Sequence, residues 1–255
     1  MKSKMRRFFS PGLPATGRYV FSPAAAHKLC TVLRAKEGEK VLCFSEEQGE
    51  LLCSVVQPVR GEVEVVCRTR APAAGGAGPL LAFVPLQRAE RNRFLVEKAT
   101  ELGAGALLPL SSDRCGGSSA LQAGKALEWC IGAAEQSGRL RLPRLLPQRT
   151  CLHDFLSFWA AKGAAEEGQQ PGLLLAGDPT AAETLWSAAA GGGVTGVLVG
   201  PEGGLSPREL GALRACEGAH VRGVRFDRAT SVTGHTLRSD TFAVAALAVV
   251  GSARL

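Results

Sequence analysis

The 255-residue sequence lacks the patterns that mark metal, disulfide and membrane proteins. Its eight cysteines are scattered and contain no C-x-x-C pair, which argues against a disulfide framework in a chain of this size. The four histidines are not spaced with cysteine or glutamate as metal ligands are. No apolar run reaches about 18 residues, and Pro11 and Pro14 interrupt the basic N-terminus before a signal peptide can form. We therefore expect a cytoplasmic protein with no metal and no membrane partner.

What is present is the composition of a globular protein with a basic bias. Hydrophobic residues make up 45% of the chain, enough for one large or two modest domains with a well-developed core. The net charge is +7, and residues 1–70 hold 12 Lys+Arg against 7 Asp+Glu, which accounts for most of that surplus. This distribution favours a basic N-terminal module that binds nucleic acid. A basic surface without such a partner is the alternative.

A glycine-rich segment late in the chain is the most informative stretch of sequence. An apolar run ending at Gly200 predicts a buried strand, and residues 200–204 predict a loop that lets a ligand approach the backbone. Ser206 as N-cap, Pro207 at N1 and Glu209 at N3 predict a helix that begins with a capping box. Such a helix start presents backbone N–H groups to a bound molecule. The spacing is neither the G-x-G-x-x-G fingerprint nor a phosphate loop, so a phosphate cofactor fits poorly. A ligand site and a plain strand-to-helix turn both remain open.

The order of apolar runs divides the chain into two domains. In residues 1–72, short strands and one helix favour a small β-barrel. The Pro/Gly-rich segment at about 71–79 predicts a linker. In residues 79–255, strands alternate with helices, which predicts an α/β domain with a mostly parallel sheet. Ligands of such sheets bind at the carboxyl ends of the strands, where the glycine-rich segment lies.

The individual elements follow from the apolar periodicity. Strands are predicted at residues 19–21, 40–44, 51–56, 62–68, 80–84, 106–110, 173–176, 194–199 and 221–226. Helices are predicted at residues 23–33, 90–102, 121–137, 181–190, 207–216 and 240–250. The last helix is apolar on nearly every side, so we expect it to be buried in the core or in a subunit interface.

Six motifs, in their order along the chain, carry a resemblance to one protein family. They are residues 5–9 (MRRFF), 94–103 (FLVEKATELG), 109–115 (PLSSDRC), 135–139 (EQSGR), 200–206 (GPEGGLS) and 237–243 (LRSDTFA). Each motif is weak alone, but the ordered set is specific and spans nearly the whole chain. The sequence resembles the RsmE family of SPOUT methyltransferases, which methylate N3 of a uridine in 16S (small-subunit) ribosomal RNA.

The resemblance implies a PUA-like N-terminal barrel, a C-terminal SPOUT-type α/β domain with a deep trefoil knot, S-adenosylmethionine as cofactor, and a homodimer. Only the resemblance implies the knot, because periodicity does not reveal how a chain threads. By position, the resemblance also implies three cofactor loops, at Leu175–Asp178, Gly200–Gly203 and Phe226–Arg238, with ten candidate binding residues. They are Leu175, Ala176, Gly177, Gly200, Pro201, Glu202, Gly203, Phe226, Leu237 and Arg238.

The implied reaction sets the requirements for catalytic residues. A sulfonium cofactor carries its own leaving group and needs no metal. Because uracil N3–H is weakly acidic, the site needs a proton acceptor or a cation that stabilises the uracil anion. Arg238 is the candidate cation, and Glu202 or Asp240 is the candidate proton acceptor. Each has a structural alternative: an ion pair for Arg238, loop-fixing backbone hydrogen bonds for Glu202, and a favourable helix-dipole position for Asp240.

Five basic residues of the N-terminal module and one in the fourth motif are the candidates for RNA binding. They are Arg6, Arg7, Lys28, Arg34, Lys36 and Arg139. A solvated surface charge is the alternative for each of them. Glu135 and Arg139 have two further alternatives, a structural pair at a helix end and a dimer contact.

The sequence departs from the family pattern at residues 226–236. Several extra residues stand there, the usual Leu-Gly is lost, and Asp240 replaces the usual Glu. The departure implies altered cofactor affinity, a loop that orders only with ligand, or lost activity. Two other functions are weighed beside this one: a SPOUT methyltransferase with another RNA target such as tRNA, and a non-catalytic rRNA-binding or assembly factor with the same fold.

Overall fold

The structure is a computed structural model, and it describes residues 5–72, 78–114, 121–148, 150–162, 172–218, 220–225 and 237–252. The chain forms two compact units. The first comprises Met1–Gly76 and Ile131–Leu142, and the second comprises Ala77–Cys130 and Pro143–Leu255. None of the helices in the described part of the chain is long and apolar enough to cross a membrane.

The first unit contains a five-stranded mixed sheet. Its strands are β1 (Arg7–Phe9), β2 (Arg18–Val20), β3 (Lys40–Ser45), β4 (Gly49–Gln57) and β5 (Glu62–Arg70), in the spatial order β1-β3-β4-β5-β2. β1 is parallel to β3, and the other pairs are antiparallel. Helix α1 (Pro23–His27) continues as a π-helical turn (Lys28–Val32) between β2 and β3, and a 3₁₀ turn (Pro58–Arg60) follows β4.

Alternation of apolar residues explains this sheet. Val41 and Cys43 on β3 and Cys53 on β4 are fully buried on one face, where the Phe8 and Phe21 rings stack with centroids 4.9 Å apart. The four strands predicted between residues 19 and 68 are confirmed, with ends shifted by one or two residues. β1 lies outside the predicted elements, because a strand of three residues is too short to show a period.

The second unit is an α/β layer structure. Its strands are β6 (Leu80–Phe83), β7 (Ala106–Pro109), β8 (Arg144–Leu145), β9 (Leu173–Gly177), β10 (Val194–Val199) and β11 (Val221–Val224). Its helices are α2 (Ala89–Glu101), α3 (Ala123–Ser137, of which the part from Ile131 belongs to the first unit), α4 (Leu152–Lys162), α5 (Leu185–Ala190), α6 (Pro207–Cys216) and α7 (Ser239–Ser252). The sheet order is β11-β9-β10-β6-β7-β8, and every neighbouring pair is parallel. The predicted α/β class with a mostly parallel sheet is therefore confirmed.

Two elements of this unit lie outside the predicted ones, α4 and β8. Helix α4 buries Leu152, Phe155, Leu156 and Trp159 at i, i+3, i+4 and i+7, a spacing that indicates a helix from sequence. β8 has two residues and no detectable period.

Two helix boundaries are set by local contacts and burial. Helix α5 begins four residues later than predicted, because the Thr184 hydroxyl caps it by accepting a hydrogen bond from the Ser187 N–H at 3.3 Å. Helix α7 is buried along most of its length and packs against α2, α5 and β10, so the expected burial in the core is confirmed.

Candidate active site

A cavity of about 470 Å³ opens at the carboxyl ends of β9, β10 and β11. Gly177 ends β9, Val199 ends β10 and Val224 ends β11, and all three line the cavity. The remaining lining comes from the residues that follow these strands, from Leu210 on α6, and from Leu237, Arg238 and the start of α7. Because three neighbouring parallel strands end at this edge, the cavity lies where α/β sheets bind ligands.

The segment after β10 forms the predicted loop and capping box. The Glu209 N–H donates to Ser206 Oγ at 3.1 Å, and the Ser206 N–H donates to Glu209 Oε2 at 2.8 Å. Asp113 adds two further bonds: it accepts from Ser206 Oγ at 2.7 Å and donates its N–H to Glu209 Oε1 at 3.0 Å. Gly204 has φ +73°, a left-handed conformation that favours glycine. Side chains therefore bind the N–H groups of Ser206 and Glu209, and this segment lines the cavity with residues of the glycine loop and with Leu210 on α6.

Gly177 lets helix α7 pack closely against the end of β9. A Cβ atom at this position would lie 2.7 Å from Cε1 of Phe242, a lining residue on α7. Real Cβ contacts are essentially never this short, so a side chain here would displace the Phe242 ring. Glycine at the end of β9 is therefore required for the close approach of α7 to the sheet.

Arg91 on α2 is a site residue that the motifs did not identify. Its Nε donates to Asp240 Oδ2 at 2.9 Å and its Nη2 to Asp240 Oδ1 at 2.8 Å, while its Nη1 forms an ion pair with Glu202 Oε1. One signal was available in the sequence. Arg91 stands four residues before the buried Leu95, on the apolar face of a predicted helix, where an arginine needs an anionic partner.

These contacts argue against Asp240 and Glu202 as proton acceptors. The hydrogen bonds from Arg91 lower the pKa of the Asp240 carboxyl, helped by the Thr241 N–H and by the charge of Arg238, against the opposing effect of burial. A carboxylate with a lowered pKa is a weak base. The structural alternative for Asp240 is therefore an ion pair with Arg91, in addition to its place in the first turn of α7.

Six of the ten predicted cofactor-binding residues line the cavity. They are Gly177, Gly200, Pro201, Glu202, Leu237 and Arg238. Leu175 and Ala176 are buried inside β9 and Gly203 accepts a hydrogen bond from Arg114 Nη1 at 2.8 Å; none of these three is among the lining residues that the structure describes. Phe226 lies outside the described residues.

Several lining residues were not predicted, among them Thr180, Arg225 and Phe242. Thr180 and Arg225 lie within three residues of the carboxyl ends of β9 and β11, so the predicted strand ends were the signal for them. Within the described ranges, no group of three or more His, Cys, Asp or Glu side chains could hold a metal ion.

Comparison with known proteins identifies the family. The model of the RNA methyltransferase domain family matches residues 78–251. The ribosomal RNA small subunit methyltransferase E (RsmE) of Mycobacterium bovis is 30% identical over 254 residues, which cover 96% of this chain and 90% of that protein. The chain belongs to the RsmE family.

Solved structures share the fold of this RsmE-family chain. RsmE from Neisseria gonorrhoeae, bound to S-adenosyl methionine, superposes with a TM-score of 0.76 at 22% identity and covers 98% of both chains. A methyltransferase from Legionella pneumophila in complex with SAM gives a TM-score of 0.77 at 23% identity, again over 98% of both chains.

The structure argues against one of the six RNA-binding predictions for this RsmE-family chain, that for Arg7. Arg7 is only 8% exposed, and its Nε forms a salt bridge with Glu50 Oε2 at 2.6 Å. Its Nη1 donates to the Ala134 carbonyl at 2.6 Å and its Nη2 to the Arg139 carbonyl at 3.0 Å. These contacts leave the Arg7 guanidinium without an exposed face for an RNA phosphate. They stabilise the first unit instead.

The other five RNA-binding candidates stay predictions. Arg6, Arg34 and Lys36 are exposed, whereas Lys28 forms an ion pair with Glu135 Oε2. Glu135 also accepts a hydrogen bond from the Phe9 N–H at 3.1 Å, so its partners lie outside its own helix. Arg139 is partly buried.

We expect the Arg91–Asp240 ion pair to stabilise the fold at neutral pH and to lose this effect in acid. Because the folded-state pKa of Asp240 is lowered, the pair stabilises the fold fully above the ordinary aspartate pKa of about 3.9, and the contribution disappears as the pH falls through the lowered pKa. We expect Asp240→Asn to lower the free energy of unfolding at neutral pH, with a difference from wild type that narrows below about pH 4. Urea denaturation across this range measures it. A difference that does not change with pH would contradict the assignment.

Proposed function

We propose that the chain is an S-adenosylmethionine-dependent methyltransferase that modifies N3 of a uridine in 16S ribosomal RNA. The observation that carries this proposal is a glycine-lined cavity at the carboxyl ends of parallel strands, in a chain of the RsmE family. The Neisseria gonorrhoeae relative of the same fold is bound to S-adenosyl methionine. The Mycobacterium bovis relative is named for the small-subunit ribosomal RNA, which supports this RNA as the substrate.

The residues around the cavity fit this cofactor. The volume of about 470 Å³ is typical of small-molecule sites. Asp178 is buried in the lining, and its Oδ1 accepts from the Thr180 N–H at 2.8 Å and from Thr180 Oγ1 at 2.7 Å. Its Oδ2 has no hydrogen bond from any residue in the described ranges, so it can accept one from a hydroxyl or amino group of the cofactor. Gly177 and Gly200 also line the cavity, and the space that a side chain would take is filled by Phe242 at Gly177 and by Leu205 at Gly200.

The bound cofactor would supply a methyl group that is already activated on a sulfonium. The chain's residues then have to hold the target base in line, exclude water and favour the uracil anion. Arg238 lines the cavity with an exposed side chain, so it can stabilise the negative charge that develops on the base. Because Arg91 holds both Glu202 and Asp240, we assign neither carboxylate as the proton acceptor.

The finer features of the fold belong to the same proposal. We propose a PUA-like domain over residues 1–72, a SPOUT domain with a trefoil knot over residues 79–255, and a homodimer in the cytoplasm. The mixed sheet of the first unit and the fold shared with the Neisseria relative support this division. Residues 131–142, which belong to the SPOUT domain in this division, are part of the first compact unit.

The proposal is tested by cofactor binding and by mapping the product. We expect calorimetry to detect S-adenosylmethionine binding by the full chain. We also expect the enzyme to methylate N3 of one uridine in 16S rRNA from a strain that lacks this modification, as mass spectrometry of RNA digests shows. Purified tRNA is the control substrate.

Methylation of tRNA alone would favour the methyltransferase with another RNA target. A folded protein that does not bind the cofactor would favour the non-catalytic factor. The departure at residues 226–236, which implies altered cofactor affinity, a loop that orders only with ligand, or lost activity, lies outside the described residues.

A further inference from the structure

We propose that Arg91 is a positioning residue that holds two walls of the cofactor cavity at a fixed separation. The inference rests on the proposed function, because it gives Arg91 a part in shaping the site for methyl transfer. Arg91 is not among the lining residues that the structure describes. It acts through Glu202 on one wall and through Asp240 on the other.

The first wall is the loop that follows β10. Glu202 comes directly after Gly200 and Pro201, and all three line the cavity. The Glu202 side chain is 31% exposed, so without a partner it would be free to turn into solvent. The ion pair with Arg91 ties this loop to α2.

The second wall is the start of α7. Asp240 is buried, and its neighbours in the sequence, Arg238, Ser239 and Phe242, line the cavity. The Phe242 N–H donates to the Arg238 carbonyl at 2.8 Å, so the backbone at Arg238 is part of the first turn of this helix. A shift of Asp240 therefore moves Arg238, the proposed catalytic cation, together with the helix.

The guanidinium group suits a clamp between these walls because its donors are arranged in one rigid plane. One edge, Nε and Nη2, binds both oxygens of Asp240, and Nη1 binds Glu202. Helix α2, which carries Arg91, is itself fixed in the core, because its residues Leu95, Val96 and Ala99 are buried. A lysine offers a single point charge and cannot keep both carboxylates in this arrangement.

The experiment compares Arg91→Met and Arg91→Lys with a matched control, Arg93→Met. Arg93 lies on the same helix and is exposed, and the salt bridge that it forms is with Glu97 one turn further on. We measure the Kd for S-adenosylmethionine by calorimetry, kcat and the KM values for cofactor and RNA, and urea unfolding. We expect Arg91→Met to raise the Kd and KM for the cofactor at least about tenfold, with the KM for RNA unchanged. Arg91→Lys should recover part of this loss, and Arg93→Met should match wild type.

The outcomes distinguish a role of Arg91 in positioning the cofactor site from a role in stability alone. If Arg91→Met lowers the free energy of unfolding but leaves the cofactor Kd and KM unchanged, Arg91 does not position the site and the inference is overturned. If Arg91→Met does not fold, the triple variant Arg91→Met/Glu202→Gln/Asp240→Asn removes the unpaired charges while it keeps similar side-chain shapes. Wild-type cofactor affinity in that folded variant would also overturn the inference. Failure of the wild-type protein to bind the cofactor would instead overturn the proposed function.

Discussion

Replacing Arg238 with alanine is expected to lower kcat by about 10²- to 10³-fold and to change RNA affinity little, the effect typical of removing one group that stabilises developing charge. Arg238 lines the cavity, and none of the described residues forms a salt bridge with its guanidinium. Its charge is therefore available to the uracil anion, which exists only as the reaction proceeds. An interaction made mainly in the transition state changes kcat rather than binding. Single-turnover kinetics with saturating cofactor and RNA measure this step.

Two further variants sharpen the interpretation of the Arg238 result. Arg238→Lys keeps a cation at the cavity and should retain more activity than Arg238→Ala. Arg93→Ala, on the exposed face of α2, should leave kcat unchanged. An unchanged rate in Arg238→Ala, or a loss confined to RNA binding, would remove the proposed catalytic role.

Replacing Arg7 with methionine is expected to lower the free energy of unfolding by about 3–5 kcal/mol, the range for breaking a buried ion pair. The side chains of Arg7 and Glu50 are 6% and 7% exposed, so the variant leaves the Glu50 carboxylate buried without its cation. It also removes the donors to the carbonyls of Ala134 and Arg139, which lie in the segment 131–142. Urea denaturation of the full chain measures the change.

The neighbouring Arg6 is the matched control for Arg7. It is exposed, and its Nη1 donates to the Leu33 carbonyl at 3.0 Å. Arg6→Met should change stability by less than about 0.5 kcal/mol, as surface substitutions usually do. If Arg6 binds RNA, this variant should weaken RNA binding and reduce its salt dependence. Equal destabilisation by the two variants would contradict the buried role of Arg7.

The segment from β10 to α6 illustrates what local pattern predicts well. The apolar run, the glycines and the Ser206–Glu209 spacing predicted a strand, a loop and a capped helix, and the structure has all three. A capping box depends on residues three positions apart, so it can be identified from the sequence of one turn. The same segment also shows a limit. Asp113 forms hydrogen bonds with both Ser206 and Glu209, although it is more than 90 residues away from them in the chain. No local pattern shows these contacts.

The sequence by itself determined the α/β class, the order of most strands and helices along the chain, and the motifs whose order resembles the RsmE family. These features depend on periods of two to four residues and on short motifs, which are complete within one stretch of chain. Only the tertiary structure decided which charges meet. Arg91 is 149 residues from Asp240, and Arg7 is 43 residues from Glu50. No local pattern predicts such pairs, because two side chains this far apart in the chain meet only when the fold brings them together. For this reason only the structure shows that Asp240 and Arg7 have ion-pair partners, and these partners argue against Asp240 as the base and against Arg7 as an RNA contact.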